Sequence, residues 1–390
     1  MKILYHHRTA SKDGQAVHIE EMIDALRAQG HEVQVVAPAV SDAGQMGEKV
    51  GWVHRLRSAL PRALYELLEL TYSLVAYRRL AQAAKAFRPD VIYERYNLYL
   101  LAGVLLKRRM GIPLLLEVNA PLVFERARHS GGLALPWLAR WAEGLAWRSA
   151  DTVLPVTQVL AGHVRAYGVP DARIAVIPNG INRAHFAVSP APTFAKAQRG
   201  LADKLVLGFT GFVRDWHGVD RVIRWMATAA APGNVQLVIV GDGPVRQDLE
   251  SLARQLGLGE RVTFTGVIHR DQVPDWVAAF DIALQPAVVP YASPLKLMEY
   301  LVLGKAIIAP RTPNLLEVLR DGENALMFDA AAPAGFEQAL SRLCTDEALR
   351  EKLGAGACAT IEQLDLTWNG NARRVVGLAS GLLATAPRAG

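Results

Sequence analysis

The feature that most restricts this chain is a regular alternation. Short runs rich in Val, Ile and Leu recur along it, and longer stretches with helical apolar spacing separate them. Such alternation predicts βα units and parallel sheets. In the first half the runs fall at 2–5, 32–37, 91–94, 113–118, 152–156 and 174–177. In the second they fall at 205–210, 236–240, 262–265, 282–284, 306–309 and 325–328. Between the first two runs, Val17, Ile19, Met22, Ile23 and Leu26 keep helical spacing, and Gly30 supplies a stop. The series predicts two doubly wound α/β halves. Residues 183–201 contain two prolines, many small side chains and no periodicity, which is linker composition. The expected domains are therefore 1–183 and 184–367.

With 390 residues, 51% of them apolar and 21% charged, the chain has material for two cores, which excludes a disordered or fibrous class. No stretch is apolar over the length that a transmembrane helix needs. The opening MKILYHH runs straight into a strand pattern without a signal-peptide core. Cys344 and Cys358 offer neither a disulfide framework nor a metal cluster, so a cytoplasmic protein is expected.

Charge is uneven. Residues 1–200 carry 25 Lys and Arg against 16 Asp and Glu, whereas 201–390 carry 18 against 21. The excess is densest in 51–150, with 15 basic and 7 acidic residues, and it suggests an anionic partner. Within it, 51–87 reads as one long helical region. Trp52, Arg55, Arg57, Arg62, Arg78, Arg79 and Lys85 stand beside Leu60, Leu64, Leu67, Leu68 and Leu70. A helix packed on a sheet is the preferred reading, with contact to an anionic membrane surface as an added role. The segment shows no aromatic-and-basic motif for nucleic acid, so none is expected as a partner.

In open α/β sheets, ligands sit beyond the carboxyl ends of the strands. After the first run comes HHRTASKDGQAVH, with His6, His7 and His18, and with Gly14 able to bring backbone N–H groups to an anion. The second half opens with GFTGFVRDWHG, where Gly211 permits close backbone approach and Arg214 and His217 follow at once. Its spacing is not a dinucleotide fingerprint. The richest constellation is SPLKLMEYLVLGKAIIA at 293–309. Ser293 is expected as N-cap and Pro294 as the first helical residue, leaving the N–H groups of Leu295 and Lys296 facing outward. The lysine adds positive charge, and a helix start carrying a lysine is a simple diphosphate site. Glu299, one turn on, suits a ribose diol; a buried Lys–Glu helix pair is the alternative. No Asp-x-Asp, His-Glu-x-x-His or paired Cys-x-x-Cys occurs, so no metal is expected.

These residues lie in an ordered set that resembles the family-4 retaining glycosyltransferases of the GT-B fold. The set is DGQAVHIEEMIDALRAQGHEVQVV at 13–36, VIPNGIN at 176–182 with Phe186, GFVRDWHGVDRVI at 211–223, LVIVGDGP at 237–244, RVTFTGVI at 261–268, FDIALQP at 280–286, the 293–309 segment, LLEVLRDGENALMF at 315–328 and LTW at 366–368. The resemblance implies two Rossmann-like domains facing a cleft. The N-terminal one takes the acceptor and is joined by a C-terminal helix at 368–390; the C-terminal one takes a nucleotide diphosphate sugar. It implies a diphosphate grip at Arg214, with His217 where a second cation is usual, a change that makes the grip pH-sensitive. It also implies that the backbone of Val267 and Ile268 meets the base and that Glu299 binds the ribose. Tyr291 stands where the family has a glutamate, and Asn119 falls near a family histidine, with Glu117 and Glu125 nearby. The S-P-x-K-x-x-E-Y form is similar to members that build bacterial surface polysaccharides.

The leading expectation is thus a retaining, metal-independent transferase using a UDP or GDP sugar. The acceptor would be a glycan or a polyprenyl-diphosphate-linked glycan, and the enzyme would sit in the cytoplasm or peripherally on the inner membrane face. A nucleotide-sugar epimerase with Glu117 and Glu125 as acid and base is a second class. A non-catalytic nucleotide-sugar binding subunit, motivated by Tyr291 and His217, is a third.

Overall fold

Parallel strands buried on both faces need near-continuous apolar runs, and that is how most of the strands form in the computed structural model. It describes residues 1–9, 14–38, 60–129, 132–332 and 334–385. Trp52, Arg55 and Arg57 lie outside the described residues. The chain divides into two units. Met1–Pro178, Tyr291–Ser293 and Trp368–Gly390 make the first; Asn179–Pro290 and Pro294–Thr367 make the second.

The first unit runs β1 (Lys2–His6), α1 (Gly14–Ala28), β2 (Glu32–Val36), α2 (Arg62–Phe87), β3 (Val91–Arg95), α3 (Ala102–Met110), β4 (Leu114–Val118), α4 (Leu122–His129), α5 (Pro136–Ser149), β5 (Thr152–Pro155) and α6 (Gln158–Ala166). Its sheet is parallel, in the order β2-β1-β3-β4-β5, so the order reverses between β1 and β3. The expected sixth strand at 174–177 is missing. Ala175 and Ile177 donate to the carbonyls of Val153 and Pro155, both at 3.0 Å, but only Val153 and Ile174 form a bridge. The return bond would have to come from the N–H of residue 155, and proline has none.

The second unit runs α7 (Arg183–Phe186), α8 (Pro192–Ala197), β6 (Leu205–Thr210), α9 (Val219–Met226), β7 (Val235–Val240), α10 (Arg246–Gln255), β8 (Val262–Phe264), α11 (Val273–Ala278), β9 (Ile282–Leu284), α12 (Leu295–Val302), β10 (Ala306–Pro310), β11 (Leu326–Phe328), α13 (Gly335–Thr345) and α14 (Glu347–Gln363). Its six parallel strands lie in the order β11-β10-β9-β6-β7-β8, the doubly wound dinucleotide-fold order with its reversal between β6 and β9. Alternation along β6 and β7 splits the core. Leu207, Phe209, Leu237 and Ile239 pack on one face, and Val206, Val238 and Val240 on the other.

The last helix, α15 (Trp368–Thr385), belongs to the first unit and packs on α1. The Trp368 ring meets His18 edge-on at 4.8 Å, Gln29 Nε2 donates to the Asn369 carbonyl at 2.8 Å, and Asn371 Nδ2 donates to the Pro178 carbonyl at 2.6 Å.

Helix α2 is turned against its own composition. It buries Glu66, Glu69 and Ser73 and leaves Leu64, Leu67, Leu68, Leu74 and Val75 exposed. The buried carboxylates are partnered. Glu66 accepts from Tyr99 Oη and from the N–H groups of Ala134 and Leu135, and Glu69 takes a bidentate pair from Arg126. Among the described residues, no helix is long and apolar enough to cross a membrane.

Candidate functional site

In the second unit, the expected donor residues gather at the end of β6, beside the point where strand order reverses. Thr210 closes the strand and ties α12 to it. Its N–H donates to Tyr300 Oη at 2.9 Å, and its Oγ1 donates to Glu299 Oε2 at 3.0 Å. Gly211 follows at φ +113°, a conformation that side chains disfavour. A Cβ there would come within 3.5 Å of Lys296 Cε and 3.7 Å of its Nζ, so the lysine lies directly over this glycine. The ammonium also sits 3.7 Å from the centroid of the Phe209 ring. The Arg214 guanidinium stacks on Phe212 and Trp216, at 4.9 and 5.0 Å, which holds an exposed cation in one place.

Burial lowers the Lys296 ammonium to about 7, with Glu299 pulling the other way. Without a ligand, then, this group carries only part of the charge expected from sequence. Glu299 is raised, by burial first, against the Thr210 hydrogen bond and Lys296.

Two sequence expectations are corrected here. His217 was expected to be a pH-sensitive cation. Burial, then Lys296 and Arg214, push it down to about 2, so it is neutral at physiological pH. Its Nδ1 accepts the Arg214 N–H at 3.1 Å, which makes it a brace for the loop. Ser293 was expected to cap α12. The cap position is instead taken by Pro294, at φ −71° and ψ 125°, and the helix starts at Leu295. Proline suits an extended cap because its own φ is fixed there. The N–H groups of Leu295 and Lys296 remain the first two of the helix and have no intrahelical acceptor.

Val267 and Ile268 lie in the loop after β8, with Val267 51% exposed and Ile268 packed on the core. Gly241 and Gly266 bridge the loops after β7 and β8. Sequence reasoning missed Thr210, Tyr300, Phe209, Phe212 and Trp216. Only the placement of Thr210 between a strand and a glycine signalled one of them.

In the first unit, a buried ionic network occupies the ends of β1, β3 and β4. His6 Nδ1 meets Glu94 Oε2 at 2.5 Å, and Glu94 also accepts the Gly103 N–H at the start of α3. Glu117 is met by His18 at 2.9 Å, Tyr93 Oη at 2.6 Å, Asn119 Nδ2 at 2.6 Å and the Arg95 guanidinium. Burial alone would raise the Glu117 carboxyl. His18, Arg95 and Tyr93 outweigh it and hold the group well below the usual carboxylate range. Asn119 is thus oriented by Glu117. His7 is lowered to about 4 by burial, then by His6 and Arg95, and its buried Nδ1 has no hydrogen-bond partner. Gly14 begins α1 at an exposed position.

Glu125 is not part of this network. It accepts from Tyr291 Oη at 3.1 Å, while the Tyr291 carbonyl accepts from Thr157 Oγ1 at 3.0 Å. With Glu117 locked in its ion pairs, no acid/base pair of Glu117 and Glu125 is assembled.

A family model for a glycosyl transferase 4-like domain matches residues 13–180, and one for glycosyl transferases group 1 matches 204–346. The chain is 28% identical over 377 residues to a D-inositol 3-phosphate glycosyltransferase of Xylanimonas cellulosilytica, covering 90% of this chain and 88% of that one. It is 27% identical over 358 residues to a 2-deoxystreptamine N-acetyl-D-glucosaminyltransferase of Streptomyces fradiae, covering 83% and 82%. Among solved structures, it resembles Anabaena HepE in complex with UDP at a TM-score of 0.76 and 19% identity, over 98% of this chain and 100% of that one. HepE is also known in complex with UDP-glucose, with a TM-score of 0.74 to this chain. Both halves are matched, in chain order, by glycosyltransferase models, and the strand orders agree with that fold. The chain therefore belongs to the family-4 glycosyltransferases of the GT-B fold.

Proposed function

We propose that this glycosyltransferase moves a sugar from a UDP or GDP donor, with retention of anomeric configuration and without a metal. The acceptor is a glycan or a polyprenyl-diphosphate-linked glycan in bacterial surface-polysaccharide synthesis. The enzyme works in the cytoplasm and attaches peripherally to the inner membrane face. The observation that carries the reading is the seating of Lys296, at the start of α12, over Gly211, with the clamped Arg214 three residues on and Glu299 anchored one turn away.

In this reading, Arg214, Lys296 and the N–H groups of Leu295 and Lys296 hold the leaving diphosphate, in place of the charge that a metal would supply. Glu299 accepts from the ribose diol, and the backbone at Val267 and Ile268 faces the base. The anomeric C–O bond to the β-phosphate breaks, and a bond to the acceptor oxygen forms on the same face. The acceptor's proton passes to the departing phosphate oxygen, so positioning and charge stabilisation carry the rate. The first unit takes the acceptor; Gly14 offers backbone N–H groups to an anion, and Asn119 stands in the loop after β4.

The test is nucleoside diphosphate release with UDP, GDP and ADP sugars, with and without acceptor and in EDTA, with NMR of the product anomer. Release that needs an acceptor, survives EDTA and gives the retained anomer supports the reading; an inverted product refutes the mechanism. Release without any acceptor would revive hydrolysis or epimerisation. The relatives named for inositol phosphate and 2-deoxystreptamine favour a second reading, a small soluble polyol as acceptor. Turnover with such a polyol and none with lipid-linked glycans would select it.

A further inference from the structure

We propose that the outward faces of α2 and α5 form one surface of the first unit that enters the headgroup region of an anionic lipid bilayer. The proposal deepens only the membrane-attachment part of the function above and rests on that part. The nucleotide site plays no role in it.

Helix α2 presents Leu64, Leu67, Leu68, Leu74 and Val75 to solvent, with Leu74 57% exposed. Its later turns present Arg78, Arg79 and Lys85, which make no ion pair among the described residues. Its only carboxylates, Glu66 and Glu69, are the ones turned inward. A helix facing water would be arranged the other way round. Helix α5 repeats the pattern. Trp137 is 67% exposed and Trp141 47%, Arg140 stands between them in sequence, and the helix's only carboxylate, Glu143, is buried against Tyr96 Oη and the Val123 N–H.

The two helices adjoin. Glu66 accepts the N–H groups of Ala134 and Leu135, the residues leading into α5. Leu70 packs into the cluster that contains Leu138 and Ala139. Leu67 and Leu74 lie one turn to either side of Leu70, so they continue that seam outward. Two helices that each bury every carboxylate they own leave a surface that is aliphatic, indole-bearing and cationic.

That chemistry fits an anionic bilayer. Indole rings settle at headgroup depth, aliphatic side chains reach the acyl boundary, and lysine and arginine meet the lipid phosphates. It does not fit a second copy of the same face, since that copy would bring the same cations and no exposed carboxylate to meet them.

The full chain is sedimented with vesicles of phosphatidylcholine and with vesicles of equimolar phosphatidylcholine and phosphatidylglycerol, at low and high salt. Binding is expected to the anionic vesicles, with a blue-shifted tryptophan emission and a fraction that survives high salt because apolar groups are inserted. Trp137→Ser with Trp141→Ser should weaken partitioning by about tenfold or more, as should Leu67→Ser with Leu74→Ser. Val188→Ser, at an apolar residue 82% exposed on the second unit, should leave it unchanged. These are surface positions, and an unchanged melting curve verifies folding.

Absence of binding to the anionic vesicles, or binding indifferent to both double variants, overturns the proposal. So does a native dimer that the tryptophan pair dissociates while vesicles are ignored. A UDP thermal shift on the same samples separates the claims. Lost vesicle binding with an intact shift removes only the surface; an absent shift with intact vesicle binding removes only the nucleotide reading.

Discussion

Raising the pH from 7 to 9 should weaken nucleoside diphosphate binding by about fiftyfold. The Lys296 ammonium lies over the Phe209 ring and against Gly211, and burial brings it to about 7 in the free protein. A bound diphosphate favours the charged form, so binding raises this pKa and takes up a proton. Affinity is therefore full well below the free value and falls about tenfold per unit above it. At pH 9 about one molecule in a hundred carries the charge, against about half at pH 7, which corresponds to roughly 2.3 kcal/mol. The phosphate itself is already ionised above about pH 7. His217, at about 2, stays neutral throughout. Titration calorimetry with UDP in two buffers of different ionisation heat should show uptake of about half a proton at pH 7. Lys296→Arg, charged at every pH, should flatten the profile. Constant wild-type affinity from pH 7 to 9, or the same slope in Lys296→Arg, would refute the reasoning.

Three further outcomes are expected. Arg214→Ala should lower the turnover rate by about 10²–10³, read as nucleoside diphosphate release at saturating donor, because a positioned charge on the leaving group is lost. Glu299→Gln should weaken binding of the free nucleoside diphosphate by roughly 1.5–3 kcal/mol in calorimetry, and Thr210→Val, which removes the hydroxyl on Glu299, should move affinity the same way by less. Glu117→Gln should destabilise the protein by about 3–5 kcal/mol in urea at pH 7, because Arg95 and His18 are left buried without their carboxylate. The Glu117 pKa is depressed by folding, so its contribution is full above the ordinary value of 4.5 and lost as pH falls through the folded one. The gap between variant and wild type should close in acid.

Nine of the strand runs were legible because a parallel strand covered on both faces leaves a dense apolar run, and β2 and β8, which are only partly covered, were legible from their β-branched residues. The run at 174–177 looked the same, and what stopped it was the missing N–H of Pro155, a property of its neighbour. Around the candidate site, the helix start at 293–299 and its lysine were legible, since both are local chemistry. The bed of Phe209, the clamp of Phe212 and Trp216, and the hydroxyl of Thr210 were not legible, because each acts only once β6 and α12 are side by side. The neutral state of His217 depends on burial beside two cations, which no spacing reveals. Helix α2 misled most. Its leucines read as a core face, yet Tyr99, Arg126 and the backbone ahead of α5 supply partners that draw Glu66 and Glu69 inward instead.

The closing of α1 by α15 has a consequence during synthesis. Helix α1 leaves the ribosome well before the helix that covers it, with all of the second unit in between. At about 5–20 residues per second, α1 waits roughly 20–70 s for Trp368 to reach His18. For that interval its apolar flank has no cover of its own, while the second unit can finish as soon as residue 367 emerges. The unit that begins first in the sequence is thus the one completed last.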